Sequence, residues 1–194
     1  MVNPKLSINL DEQAELLAQF SKQDSCQHGK LDLVAIRRSW SEMRSALDLN
    51  DLLINYQASR LDLYRVIGID YAVQIEKDAI YDILKGVIEH NIPILMSTGN
   101  QAVIQTYQGS NFQVISKGNW ISIVDGESSV HLQEDLIHSA WIVNKPSMGG
   151  MLSSLELFDQ SGGVVALFYG VEDEGLSQCK WRKLLIQISA QSCI

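Results

Sequence analysis

The stretch that most limits the fold runs from Ile92 to Gly170. It breaks into short runs of alternating apolar and polar residues: "IPILMST", "QAVIQTYQ", "FQVISKG", "NWISIVDG", "SVHLQ", "IHSAWIVN", "MLSSLELFD" and "VVALFYG". Period-two alternation marks a strand with one face buried. Gly, Asn, Asp and Ser punctuate the runs at intervals too short for a crossover helix, so successive strands pair antiparallel. The pattern predicts an extended antiparallel meander.

Helical patterns flank it. "LSINLDEQAELLAQF" offers Ser7 and Asn9 as caps and sets Leu10, Ala14, Leu17 and Ala18 on one face. "SKQDSCQHGK" is polar and contains Gly29, so it reads as a loop. "LDLVAIRRSWSEMRSALDLNDLLINYQ" predicts an interrupted helix whose second apolar face is Leu49, Leu52, Leu53 and Tyr56. After Arg60 the period changes, and "DLYRVIG" and "YAVQIE" each read as a strand, with Gly68 and Asp70 in the turn. "KDAIYDILKGVIEHN" predicts a helix with Ile80, Ile83, Leu84, Val87 and Ile88 inward, ended by Asn91 and Pro93. "SQCKWRKLLIQISAQ" predicts a closing helix on Trp181, Leu184, Leu185 and Ile188. Helices around an antiparallel sheet make an α+β domain. The expected organisation is a helical segment over 1–39 and a main domain over 40–194.

Composition excludes some functions. The formal net charge is −8, which argues against broad electrostatic attraction to nucleic acid. The longest apolar runs, such as "GGVVALFYG", are far too short to cross a bilayer, and "MVNPKLSINLDEQ" lacks the pattern of a secretory signal. A cytoplasmic protein without membrane insertion is expected. Cys26, Cys179 and Cys193 are odd in number and far apart, which favours reduced thiols over a disulfide framework or zinc site.

Few residues announce chemistry. There is no GxSxG, GxGxxG or Walker loop, and "MGGM" reads as a turn. None of His28, His90, His131 and His138 has a second ligand at metal spacing. His131 reads as a hydrogen-bonded strand residue and His90 as a helix C-terminus, where imidazolium is favourable. Trp40, Trp120, Trp141 and Trp181 read as core or interface. Arg60, between a helix and a strand, reads as a solvated helix end. One feature resists this: the buried strand "AWIVNK" ends on Lys145, which Pro146 holds in place. From the residues alone the chain is a soluble α+β domain that binds something.

The order of its motifs resembles the HemS/ChuX superfamily of haemin-utilisation proteins, most closely the C-terminal half of the double-length HemS-type chains. The resemblance rests on "GNQAVIQTYQG", "GNWISIVDG", "VHLQEDLIHSAWIVNKPSMGGMLSSLELFDQSGGVVALFYG" and a final "WRKLL". Upstream, "WSEMRSALDLNDLLINYQASRLDLYRVIG" is similar to the family's Trp-x-x-Met helix and its arginine, so the likeness covers about Trp40 to Leu185.

The resemblance implies a cytosolic haem-binding or haem-trafficking protein of a haem-iron uptake and utilisation system, served by haem-import machinery. It implies that Arg60 and Lys145 meet the haem propionates and that Tyr169 lines the pocket. Two departures accompany it. Leu47 stands at the family's axial-histidine position, and leucine cannot ligate iron. Glu172 stands where the family tends to carry arginine. Another axial ligand, such as His28, His90 or Met96, is then needed, or none is used. The alternatives are a haem-degrading enzyme of the HemS type and a paralogue that kept the fold and lost haem. The carrier is favoured over the enzyme because the sequence carries no flavin or nicotinamide motif. The shorter ChuX-type members pair as dimers, and a homodimer is expected here.

Overall fold

A computed structural model describes Phe20 and residues 32–45, 47–100, 102–126, 128–171 and 176–192. The predicted first helix with its caps, together with Cys26, His28, Glu172 and Cys193, lies outside the described residues.

Among the described residues three short helices come first: α1 (Leu33–Ser41), α2 (Leu47–Asn55) and α3 (Arg60–Ile67). Asp32 caps α1 by accepting from the Val34 and Ala35 amides. Where alternation predicts a strand in "DLYRVIG", the chain forms α3 instead. The reason is a capping box: the Asp62 amide donates to Ser59 Oγ at 3.2 Å, and the Ser59 amide donates to the Asp62 carboxylate at 3.0 Å. Gly68, at φ 109°, ends the helix. Arg60, Leu63, Tyr64 and Ile67 fall on one face of α3 and are buried. Arg60 therefore opens a helix rather than leading into a strand.

β1 (Ala72–Ile75) and α4 (Ala79–Glu89) follow as expected. Ile88 does not face inward. It is 39% exposed, because the buried stripe of α4 runs through Ile80, Ile83, Leu84 and Val87 and leaves Ile88 off its edge. The strands are β2 (Ile94–Gly99), β3 (Ile104–Gly109), β4 (Gln113–Lys117), β5 (Trp120–Asp125), β6 (Ser128–Gln133), β7 (Ser139–Ser147), β8 (Gly150–Phe158) and β9 (Val164–Gly170). α5 (Leu176–Ser192) closes the chain.

The strands are antiparallel but do not form one meander. Six make a sheet in the order β1-β7-β8-β9-β2-β3, and β4-β5-β6 make a second sheet. β9 pairs with both β8 and β2, so strands distant in sequence lie side by side. β7 also runs past Lys145. Pro146 pairs with Met151 inside the β7–β8 ladder. Proline is tolerated there because the β1–β7 ladder ends at Val143, with one further bond from the Asn144 amide to the Tyr71 carbonyl, so β1 asks for no amide hydrogen at Pro146.

Each face of the large sheet has its own core. Ala140, Ile142, Leu155, Leu157 and Phe168 pack with α4, α5 and inward residues of the small sheet, including Ile121 and Leu132. α5 approaches closely at Gly170, where an added Cβ would lie 2.7 Å from Trp181 Cβ. On the opposite face, Trp141, Val143 and Phe158 lie under α1–α3 with Ile36, Trp40 and Tyr64. Tyr64 sits at the centre of this aromatic group, with ring centroids 6.0 Å from Trp40, 5.9 Å from Trp141 and 6.1 Å from Phe158. Trp120 is the exception among the tryptophans, at 45% exposure.

Candidate functional site

Next to that aromatic group the same face changes character. Strand alternation sets Lys145 of β7, Ser154 and Glu156 of β8, and Tyr169 of β9 on the face that α3 covers. Ser154 pairs with Tyr169 across the β8–β9 ladder. α3 brings Arg60 and Tyr64 down onto them from above. All six side chains are buried, and Lys145 is 1% exposed.

Glu156 is the hub. Lys145 Nζ donates to one of its oxygens, which Ser154 Oγ also reaches at 2.9 Å. Tyr64 donates to the other oxygen at 2.8 Å, and Arg60 Nη1 stands 3.5 Å from it. Lys145 Nζ also lies 3.5 Å from the Tyr169 hydroxyl and 5.6 Å from that ring's centroid. Burial alone would raise the Glu156 carboxyl, but Lys145 and Arg60, helped by the Lys145 and Tyr64 hydrogen bonds, hold it at about 2. Burial alone would lower Lys145, yet Glu156 and the two phenols lift it above its ordinary range. Burial pushes the Tyr64 and Tyr169 phenols up, so both stay protonated, Tyr64 donating to Glu156 and Tyr169 accepting from Lys145.

Two buried cations face one buried carboxylate, so the cluster carries one surplus positive charge. Arg60 Nη2 is buried and has no hydrogen-bond partner. A buried, unsatisfied guanidinium nitrogen is costly and calls for an acceptor. Beside the cluster lies an apolar patch of Leu167 and Tyr169 packed with Phe20, and edged by Leu95, Ile104, Leu152 and Val164. A cation pair against an apolar floor suits a ligand that is hydrocarbon in the body and acidic at one edge. The residues present therefore fit a porphyrin with carboxylate arms.

The structure brings Arg60, Lys145 and Tyr169 together around Glu156, and Arg60 is not a solvated helix end. The suggested iron ligands do not converge on them. Met96 packs on the other face of the sheet, and His90 caps the C-terminus of α4. Leu47 opens α2. His131 bonds to Ser122 at 2.8 Å across β5–β6, as a strand residue would. Among the described residues no group of three or more His, Cys, Asp or Glu could hold a metal ion, and no helix is long and apolar enough to cross a membrane. Sequence reasoning missed Glu156 and Tyr64. For Glu156 the signal was present: in "SSLELF" the acid shares a face with Ser154 and Phe158, while Leu155 and Leu157 take the other.

Comparison with known proteins gives a consistent picture. Residues 57–188 match the model of the haemin-degrading HemS.ChuX domain. The hemin transport protein HemS of Yersinia enterocolitica is 28% identical over 156 residues, which is 80% of this chain and 45% of that one. The chain spans about half the length of the curated relatives it matches. The crystal structure of apo-PhuS, a heme-binding protein from Pseudomonas aeruginosa, superposes with a TM-score of 0.78 at 25% identity, over 84% of this chain and 48% of that one. The heme-degrading enzyme ChuS of Escherichia coli O157:H7 superposes with a TM-score of 0.76 at 26% identity, over 84% of this chain and 49% of that one.

Proposed function

The chain belongs to the HemS/ChuX family, and on that premise we propose that it binds haem and passes it on within a cytoplasmic haem-iron uptake and utilisation system. The observation that carries this is Arg60 Nη2, buried without an acceptor in a cluster with a surplus positive charge. Arg60 and Lys145 receive the propionates, and Tyr169 with the apolar strand residues supports the macrocycle. Charge-assisted hydrogen bonds of this kind are short and strong where water is excluded. Haem, when bound, supplies the redox-active iron.

Trafficking is favoured over degradation by Leu47, which stands at the family's axial-histidine position and cannot ligate iron. A homodimer belongs to the same proposal. The large sheet ends on β1 and β3 and the small one on β4 and β6, and strand edges of this kind suit a symmetric partner. A monomeric mass by light scattering across a wide concentration range would remove that part.

The test is a haem titration followed by absorbance, repeated on Arg60→Ala and Lys145→Ala. The parent should give a saturable Soret shift at equimolar haem. Each variant should weaken binding by about 1–3 kcal/mol, the scale of a lost charged hydrogen bond. No saturable shift in the parent, or variants that bind like the parent, would reject the proposal. Loss of the Soret band with a linear tetrapyrrole product under ascorbate would replace trafficking by degradation.

A further inference from the structure

Ser97, on β2, is fully buried, and its hydroxyl has no hydrogen-bond partner. An orphaned hydroxyl in an interior is unfavourable unless something else is meant to meet it. Alternation along β2 sends Ile94 and Met96 into the core beneath α4 and α5, and Leu95 to the opposite face. Ser97 therefore shares the face of Leu95, Leu167 and Tyr169.

Register fixes how far it lies from the cations. Glu156 pairs with Leu167 on β9, Leu167 with Ser97 on β2, and Ser97 with Thr106 on β3. Ser97 stands two strands away from Glu156 in one cross-sheet row, about 10 Å between backbones. In the other direction, towards β7 and β1, the face is already covered by α1–α3. A flat ligand whose acid arms reach Arg60 and Lys145 must extend over β9 and β2, across the patch where Phe20 now packs on Leu167 and Tyr169. The body of a porphyrin is hydrocarbon everywhere except its centre, where the ring nitrogens and the metal lie. A hydroxyl inside that footprint finds a polar partner only there.

We propose that Ser97 is the polar contact of the centre of the bound ring, on the side facing the sheet. The inference rests on the haem-binding proposal above and adds to it a residue that supplies the missing contact at the metal. It also names the face of the ring that meets the protein's strands.

The experiment uses the full chain with ferric haem and two substitutions. Ser97→Cys is nearly isosteric, and a sulfur ligand on ferric iron has absorption and electron paramagnetic resonance signatures unlike those of oxygen or nitrogen ligands. Ser129→Cys, exposed on β6, controls for thiols elsewhere. Ser97→Cys should acquire the sulfur-ligated spectrum and Ser97→Ala should shift the Soret maximum, while Ser129→Cys leaves the parent spectrum unchanged. If the parent binds haem in an Arg60- and Lys145-dependent way but both Ser97 variants give its spectrum, the contact does not exist and only this inference falls. If the parent takes up no haem, the underlying proposal falls first, and this one with it.

Discussion

Glu156→Gln separates what the cluster does for folding from what it does for a ligand. The substitution keeps the shape of the side chain and removes its charge, leaving Lys145 and Arg60 buried with no anion between them. In the folded protein the Glu156 carboxyl is held at about 2 against an ordinary value of 4.5. At roughly 1.4 kcal/mol for each tenfold change in proton affinity, that lowering is worth on the order of 3 kcal/mol. That agrees with the roughly 3–5 kcal/mol expected when one partner of a buried pair is removed. Because the folded value is depressed, the stabilisation is complete above pH 4.5 and is lost as pH falls from there towards 2. The variant should therefore be about 3 kcal/mol less stable than the parent at pH 7, and only about 1 kcal/mol less stable at pH 3. Urea unfolding monitored by the fluorescence of buried Trp40, Trp141 and Trp181 measures both differences. The same substitution should tighten haem binding, since propionates no longer compete with a resident carboxylate. A stability loss equal at the two pH values would refute the electrostatic account, and weaker haem binding would refute the competition.

Three further outcomes follow from the packing. Phe20→Ala uncovers Leu167 and Tyr169 and should speed haem association in stopped-flow mixing; an unchanged rate would mean that the ring does not stand in the ligand's way. Gly170→Ala places a Cβ 2.7 Å from Trp181 Cβ and should cost about 1–3 kcal/mol through overpacking, which a thermal melt at the parent's midpoint would contradict. Ser59→Ala removes the cap of α3 and should cost about 1 kcal/mol, largely restored in Ser59→Asp; equal denaturation midpoints for all three proteins would dismiss the capping box.

The strands from Ile94 to Gly170 were legible because alternation is a local property, and α5 was legible because Trp181, Leu184, Leu185 and Ile188 repeat at helical spacing. Sheet order was not legible. Nothing local to "IPILMST" says that its partner is "VVALFYG", since that pairing depends on how separate hairpins dock. The helix at Arg60–Ile67 was missed because a period count treats Arg60 as polar. Once buried on Glu156, Arg60 completes a four-residue inner face with Leu63, Tyr64 and Ile67. Lys145 was conspicuous as a charge in an apolar run, whereas its partner Glu156 was easy to pass over in "SLELF". An acid between two leucines looks like an ordinary outward residue until the opposite face is known to be covered.

The pairing of β2 with β9 has a consequence for how the chain is made. β4, β5 and β6 can zip together as soon as residue 133 exists, but the large sheet joins strands whose sequence separation is about seventy residues. Such closures are entropically costly and slow to form. During synthesis the β2–β3 hairpin has no place in the large sheet until Val164–Gly170 emerges and bridges β8 to β2, whereas Arg60 can meet Glu156 as soon as β8 is made. The last strand of the sheet is thus the latch of the fold, and it carries Tyr169, so the buried cluster around Glu156 is completed in the same event that locks the architecture.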